Sequence, residues 1–259
     1  MAKSVSFSET IHDWLHALTT RYQFKFVLPT LYEAVVEGVR LDLASFSPKV
    51  RNRIVNLGYE ASERQICDEF LAPEDSVLEL GGGIGFVGLY CQTRLGIRDY
   101  VTVEANPLTA EILKRNYDLN GRNPRLLAFA IAGTSGMVEM NVGGDFWENH
   151  ITDPPTRNRI NTIQVPGETF SQIYRMAGSR ANTLIIDIEG AEQFIDFGAL
   201  PRRITKIILE WHPKILGEEM KVRLSRKMET AGFRLRKRVS DTECHIREEE
   251  SRQAPPVQL

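Results

Sequence analysis

The run "TLIIDIEGAE", Thr183–Glu192, closes an apolar stretch on two acids, Asp187 and Glu189. Side chains two apart on a strand project to the same side, so these carboxylates converge on one mouth, and Gly190 lets the chain turn away. The run "KIILEWHP", Lys206–Pro213, repeats the design, with Glu210, Trp211 and His212 ending an apolar strand. Carboxylates beside an imidazole, whose unperturbed pKa is ~6.5, are groups that take a proton from a weakly acidic nucleophile near neutral pH. Each also has a plainer local reading, Asp187 as a helix cap and His212 as a turn residue. Their occurrence at two successive strand ends makes a site the better reading, with Asp187, Glu189 and His212 as its candidate catalytic residues.

A glycine turn supplies the other half of the chemistry. "VLELGGGIGFVG", Val77–Gly88, satisfies two nucleotide patterns at once. Gly83, Gly85 and Gly88 fit the GxGxxG dinucleotide fingerprint, whereas Glu79, Gly81, Gly83 and Gly85 fit the acidic-x-G-x-G-x-G pattern of S-adenosylmethionine (SAM) binding. Glu104 ends the next strand about 20 residues on, where a carboxylate can accept hydrogen bonds from ribose hydroxyls in either case. Glu79 tips the balance, because a pyrophosphate gains nothing from a carboxylate there, while the ammonium and sulfonium of SAM do. Residues 1–70 also leave room for a lid over a second substrate, and no Tyr-x-x-x-Lys pair of the short-chain dehydrogenase type occurs.

These residues need a frame. Apolar and β-branched runs at Ser76–Leu80, Tyr100–Glu104, Leu126–Ala130, Ile163–Val165, Thr183–Ile188 and Lys206–Glu210 read as strands. Helical spacing separates them at Val87–Thr93, Pro107–Asn120 and Phe170–Ala177, with "GMVEMNV" reading as hairpin-like. Such alternation calls for an α/β, Rossmann-like, mostly parallel sheet covered by helices on both faces. "LGEEMKVRLSRKMETAG" reads as a helix stopped by Gly232, and "FRLRKRV" with "ECHIRE" as a closing antiparallel pair. Upstream, Ile11–Leu18 has helical spacing, "VRLDLASF" reads as a strand, and "SPKVRNRIVNLG" reads as a short helix begun by Ser47 and Pro48. A further helix over Ala61–Leu71 would climb ~16 Å at 1.5 Å per residue, returning Glu60 to the ligand end of the sheet. Glu60 as a helix-start acid favoured by the dipole is an equal alternative.

The ordered set "YEASE", "LELGGGIGF", "VEANP", "AIAGTSG", "VPGETFSQI", "LIIDIEGAE" and "ILEWHP" resembles the FkbM family of SAM-dependent methyltransferases from about Gly58 to Val239. The resemblance implies a class I methyltransferase sheet of about seven strands, with the last antiparallel, carrying an N-terminal helical and strand cap. It also implies methyl transfer to a hydroxyl oxygen of a small molecule, such as a sugar or natural product. Carried over residue by residue, Gly81, Gly83 and Gly85 pass beneath the methionine and ribose. Glu104 takes the ribose hydroxyls, Ala105 and Asn106 lie beside the adenine, and Ala130 and Ile131 pack on its edge. Glu60, Glu79 and Asp187 complete the cofactor set. One departure is Glu79 where the family usually has Asp; another is Gly82 where it usually has Asn or a similar residue.

The bounds agree. The 259 residues allow a cap over 1–70, a core over 71–247 and a tail over 248–259, whose low apolar content and paired prolines suggest disorder. A net charge of −2 argues against a broad grip on nucleic acid. "DPPT" at Asp153–Thr156 precedes its customary strand and ends in Thr, so it reads as coincidence in a loop whose Phe146, Trp147 and His150 would face the acceptor or pack the loop. Cys67, Cys91 and Cys244 form no CxxC pair, suggesting free thiols in a reducing, cytoplasmic setting. No apolar run approaches the ~20 residues of a membrane span. The N-terminal helix is a candidate homodimer surface. No metal is expected, a side chain being sufficient to take the acceptor's proton; the alternative is a Mg²⁺ ion on Asp187, Glu189, Glu210 and His212, as in some other small-molecule O-methyltransferases, against which stands that histidine is a poor Mg²⁺ ligand. The rival functions are a nicotinamide oxidoreductase and a SAM-binding protein without activity.

Overall fold

The computed structural model describes residues 32–142, 150–151 and 162–248. The chain divides into two compact units, Met1–Tyr59 and Glu60–Leu259. The helix read as the end of the N-terminal segment therefore belongs to the larger unit. In the smaller unit, β1 (Glu33–Val36) and β2 (Val39–Asp42) form an antiparallel hairpin. Helix α1 (Pro48–Asn56) follows it, with the Ser47 hydroxyl accepting from the Val50 amide and proline at its first turn, as the sequence pattern requires. The expected helix at Ile11–Leu18, the loop with Phe146, Trp147 and "DPPT", and the tail from residue 249 lie outside the described residues.

The larger unit opens with α2 (Ala61–Phe70), β3 (Ser76–Leu80), α3 (Phe86–Arg94), β4 (Asp99–Val103), α4 (Pro107–Leu119) and β5 (Leu126–Leu127). After an insertion come α5 (Phe170–Met176), β10 (Thr183–Ile186), β11 (Lys206–Glu210), α6 (Pro213–Leu216), α7 (Glu218–Thr230), β12 (Phe233–Val239) and β13 (Thr242–Arg247). The insertion carries β6 (Ala130–Ile131), β7 (Gly136–Asn141), β8 (His150–Ile151) and β9 (Thr162–Glu168). Seven strands form one sheet in the order β12-β13-β11-β10-β3-β4-β5, parallel except for β13. This is the class I methyltransferase sheet, antiparallel in its last strand. The chain leaves β3 for β4 on one side and returns to β10 on the other. The carboxyl ends of β3 and β10 thus form the switch point at which open α/β sheets bind ligands.

Alternation along the central strands decides which side chains meet. Leu78, Leu80, Leu184, Ile186, Ile207 and Leu209 pack with Ile173 and Phe197 on one face. Val77, Ile185 and Ile208 pack on the other with Ile66 and Cys67 of α2 and Val87 and Cys91 of α3. Glu79, Asp187 and Glu210 each sit two residues beyond a member of that second face, so the pleat directs all three toward α2 and α3. Cys67, Cys91 and Cys244 are buried thiols. Among the described residues no helix is long and apolar enough to cross a membrane.

The insertion differs from its sequence reading. Leu126–Ala130 is not one strand: Leu126 and Leu127 pair with β4, whereas Ala130 and Ile131 pair with Gly167 and Glu168 of β9 in a separate four-stranded sheet. "GMVEMNV" is likewise one strand, β7, antiparallel to β9 over Gly136–Asn141, rather than a hairpin closed on itself. A run of apolar residues carries no information about which sheet takes it.

The closing pair is fixed by a buried carboxylate. Glu243 Oε2 accepts from Trp211 Nε1 at 2.9 Å and lies 2.8 Å from His245 Nε2, while Oε1 pairs ionically with Arg238. Burial alone would raise the Glu243 pKa, but these hydrogen bonds and charges hold it at about 2 against an ordinary 4.5. A depressed folded pKa means the stabilisation is complete above about 4.5 and lost as pH falls through about 2. Glu243→Gln should therefore be less stable than wild type by about 2–4 kcal/mol near neutrality. In urea denaturation series, that gap should narrow steadily as pH falls below about 4.5.

Candidate functional site

The glycine turn is built by backbone. The amides of Gly81 and Gly82 both donate to Val103 O at 2.9 Å, and the Asp187 amide donates to Leu80 O at 2.9 Å. Gly81 has φ +85°, and a Cβ there would lie 1.7 Å from the carbonyl oxygen of Asp187. No side chain fits that space or that conformation. The ends of β3, β4 and β10 are thereby joined at one point, which explains the first glycine of the pattern. Gly85, at φ +83°, begins α3, and a Cβ there would press on Leu113 and Tyr117 at 3.0 Å. Asn116 of α4, fully buried, donates to Ile84 O at 2.8 Å and holds the turn from outside.

Glu104 ties the second strand end to the same turn. Its Oε2 accepts from the Gly83 amide at 2.9 Å and its Oε1 from the Asn106 amide at 2.7 Å. Burial raises its pKa to about 7, against the opposing effect of the Asn106, Gly83 and Ala105 amides. Asn106 caps α4, its side chain accepting from the Leu108 amide at 2.9 Å, so its carboxamide oxygen is engaged in that cap. Ala105 packs with Ala130 and Val165, and Ile131 joins the main core, so both strand residues assigned to an adenine edge are buried in this structure. Glu79 lies beneath the turn rather than at its mouth: it is 2% exposed and accepts a hydrogen bond from the Thr102 hydroxyl. Burial raises its pKa to about 7, with Thr102 pulling the other way.

The mouth beside the turn gathers acids. Asp187 Oδ1 and Glu189 Oε2 each lie 3.4 Å from His212 Nε2, and Glu192 Oε1 lies 3.0 Å from Nδ1. Ligand-type atoms of Asp187, Glu210 and His212 fall within 4.8 Å of one another, as do those of Glu60, Glu63 and Glu210. Glu60 thus reaches the mouth that its helix was expected to reach, although its side chain caps no amide and its φ of 52° is left-handed. Burial alone would lower the His212 pKa, but the Glu192 hydrogen bond and the charges of Asp187, Glu189 and Glu192 raise it to about 10. His212 therefore enters the structure as an imidazolium near neutrality, not as the base of ~6.5 that its residue type suggests. Asp187 is shifted well upward by burial and by Glu210, partly offset by His212. Glu210 is raised to about 7 by burial and by Glu63.

Two members of this cluster escape a reading by motif. Glu63 closes the run "YEASE" three residues after Glu60; it lies on the first turn of α2, is buried, and accepts from the Thr242 hydroxyl. Glu192 stands in the quoted run "DIEGAE", but only the 3-10 turn Ala191–Phe194 folds it back under His212.

No protein-family model matches the chain, and no curated protein does either. Among solved structures the chain is similar to a methyltransferase from Pyrococcus furiosus, at 12% identity over 72% of this chain and 80% of that one, with a TM-score of 0.41. It is also similar to M. jannaschii TYW2 in complex with AdoMet, at 15% identity over 83% and 84% of the two chains, TM-score 0.41. A third is precorrin-6y C5,15-methyltransferase from Geobacter metallireducens GS-15, at 12% identity over 71% and 87%, TM-score 0.42. Function has to be read from this chain's own side chains.

Gly81→Ala should lose on the order of 3 kcal/mol of stability in urea unfolding, because a methyl there must displace the Asp187 backbone. Glu79 makes an opposite kind of prediction. Its folded pKa exceeds the ordinary 4.5, so its favourable contribution is complete below about 4.5 and lost as pH rises through about 7. Glu79→Gln should gain stability relative to wild type between about pH 5 and pH 8, read from the same unfolding curves.

Proposed function

We propose that the chain is a SAM-dependent methyltransferase acting on a hydroxyl of a small molecule, of the kind its FkbM resemblance implies. The observation that carries the reading is the glycine turn seated against the Asp187 carbonyl, with Glu104 ending the neighbouring strand. Gly81, Gly83 and Gly85 form a bare cradle at the switch point, and Glu104 presents a carboxylate where ribose hydroxyls would bind. Bound there, SAM supplies an electrophilic methyl on a sulfonium.

The charge of the mouth supports SAM over a dinucleotide. Asp187, Glu189 and Glu192 lie within 3.4 Å of the His212 ring nitrogens, Glu210 lies within 4.8 Å of the ring, and Glu60 and Glu63 gather on Glu210. Such a mouth favours the ammonium and sulfonium of SAM and repels a pyrophosphate. By the same reasoning it disfavours a phosphodiester acceptor, which supports a small, uncharged acceptor over RNA. The chain's own part in the reaction is alignment and proton removal. Alignment comes from strand ends held by main-chain hydrogen bonds. An aliphatic hydroxyl attacks only as its proton leaves, and the carboxylates at the mouth, Asp187 and Glu189, are placed to receive it. His212, already charged, keeps those carboxylates in position.

Titration calorimetry with SAM tests this directly. Wild type should bind SAM and not NAD, and Glu104→Ala should weaken SAM binding about 10- to 100-fold, the scale of lost charge-assisted hydrogen bonds. Incubation with SAM and candidate alcohols should release S-adenosylhomocysteine and add one methylene to the acceptor by mass spectrometry. Binding of NAD in place of SAM, or SAM affinity indifferent to Glu104, would overturn the reading.

A further inference from the structure

We propose that the end of the large sheet opposite the mouth docks on an anionic lipid surface, through Arg125, Arg180, Arg202, Arg203 and Arg247 beside the exposed Met176. Arg125, Arg180 and the Arg202–Arg203 pair precede β5, β10 and β11. Arg247 ends β13, which runs antiparallel to β11 and so finishes at the same side. One end of the sheet therefore gathers all five.

Contacts join them into a row. Arg125 and Arg180 share the Asp99 carboxylate, at 3.0 and 3.6 Å, and Arg125 Nη2 donates to Ala177 O, next to Met176, at 3.4 Å. Arg203 Nε donates to Arg180 O at 2.7 Å. Arg247 lies over the Phe233 ring at 4.4 Å, and burial together with the charge of Arg202 lowers its pKa. Little acid opposes this row. Asp75 is buried against Lys206, and Glu248 is taken by Arg234 and Arg236. Five guanidinium groups against Asp99 and the exposed Glu74 leave a positive face on a chain whose net charge is −2.

The chemistry of the row selects its partner. Arginine's planar fork matches phosphate oxygens better than a lysine ammonium does. Single-stranded nucleic acid also needs aromatic side chains on which bases stack. Among the described residues no aromatic ring of the larger unit is exposed, whereas Met176 is 44% exposed and offers an apolar side chain to a headgroup boundary. Phosphate beside hydrocarbon is what a lipid surface presents. β3 spans five residues, about 16 Å at ~3.3 Å per residue, so a surface at this end leaves the mouth open. The acids of the mouth are repelled by the same surface that attracts the arginines, which orients the chain upon it. Docking of this kind does not depend on the reaction at the mouth.

The full chain should be sedimented with vesicles of phosphatidylcholine alone, or of phosphatidylcholine with ~30% phosphatidylglycerol, at about 0.1 M salt. Binding to the anionic vesicles and not to the neutral ones is expected, with loss at about 0.5 M salt. Arg202→Gln combined with Arg203→Gln should weaken it about 30-fold, because each arginine near such a surface contributes about fivefold. Arg125→Gln, at the other end of the row, should independently weaken it about fivefold, which keeps the test open if the double variant fails to fold. Equal partition onto neutral and anionic vesicles, or anionic binding unchanged in both variants, would rule the face out. Tighter binding to duplex RNA than to the anionic vesicles in competition would also rule it out, assigning the row to a nucleic-acid backbone.

Discussion

The approach of Gly81 to the carbonyl oxygen of Asp187 is the constraint on which the rest of the site depends. A strand end, a turn and a neighbouring strand end meet there with no side chain between them. Three main-chain hydrogen bonds, two onto Val103 O and one onto Leu80 O, hold them at that distance. Backbone joined to backbone has few ways to move, so the groups projecting beyond it inherit its rigidity. Glu104 extends the same joint to β4 by accepting from the amides of Gly83 and Asn106. The cradle and the acid mouth are therefore two sides of one piece of main chain.

The electrostatics follow from that placement. Parallel strands buried on both faces offer few positions for charge in their middles, and the acids of the candidate site stand at the carboxyl ends, where water and ligand can reach them. Burial, reinforced by neighbouring carboxylates, raises the pKa of Asp187 and of Glu210, and the surrounding acids convert the imidazole of His212 to a cation. Such a cluster is electrostatically incomplete by itself. A positive charge arriving there, such as a sulfonium or an ammonium, stabilises it. Glu243, at the far strand pair, shows the contrasting case: a buried carboxylate supplied with donors from Trp211 and His245 and a charge from Arg238 becomes a structural clamp rather than a reagent.

Much of this was legible in the residues alone. The alternation of apolar runs with helical spacing called for a mostly parallel sheet, and "FRLRKRV" with "ECHIRE" for a closing antiparallel pair. Glycine at Gly81 and acids at Asp187, Glu189 and Glu210 marked the switch point, because left-handed turns and strand-end charges leave local signatures. What the residues could not convey was direction and company. Glu79 carries the same carboxylate as Glu104, yet the pleat turns it inward onto Thr102. Asn106 reads as a polar group near a ligand, yet its amide oxygen is taken by the cap of α4. Ala130 and Ile131 read as a continuation of β5, yet they join the second sheet through β9.

His212 makes the division clearest. Its residue type and its place after β11 were visible in the sequence, and so was its ordinary capacity to accept a proton near ~6.5. Its state was decided by three acids from the segment after β10, one of them brought beneath the ring by a 3-10 turn that no motif announces. Sequence alone determined which elements form and which of their ends carry charge, because propensity, periodicity and glycine conformation act over a few neighbouring residues. Tertiary structure alone decided which charges face one another and across what distance. Coulomb energies and desolvation depend on separations in space between residues far apart in the chain, and only the folded backbone sets those separations.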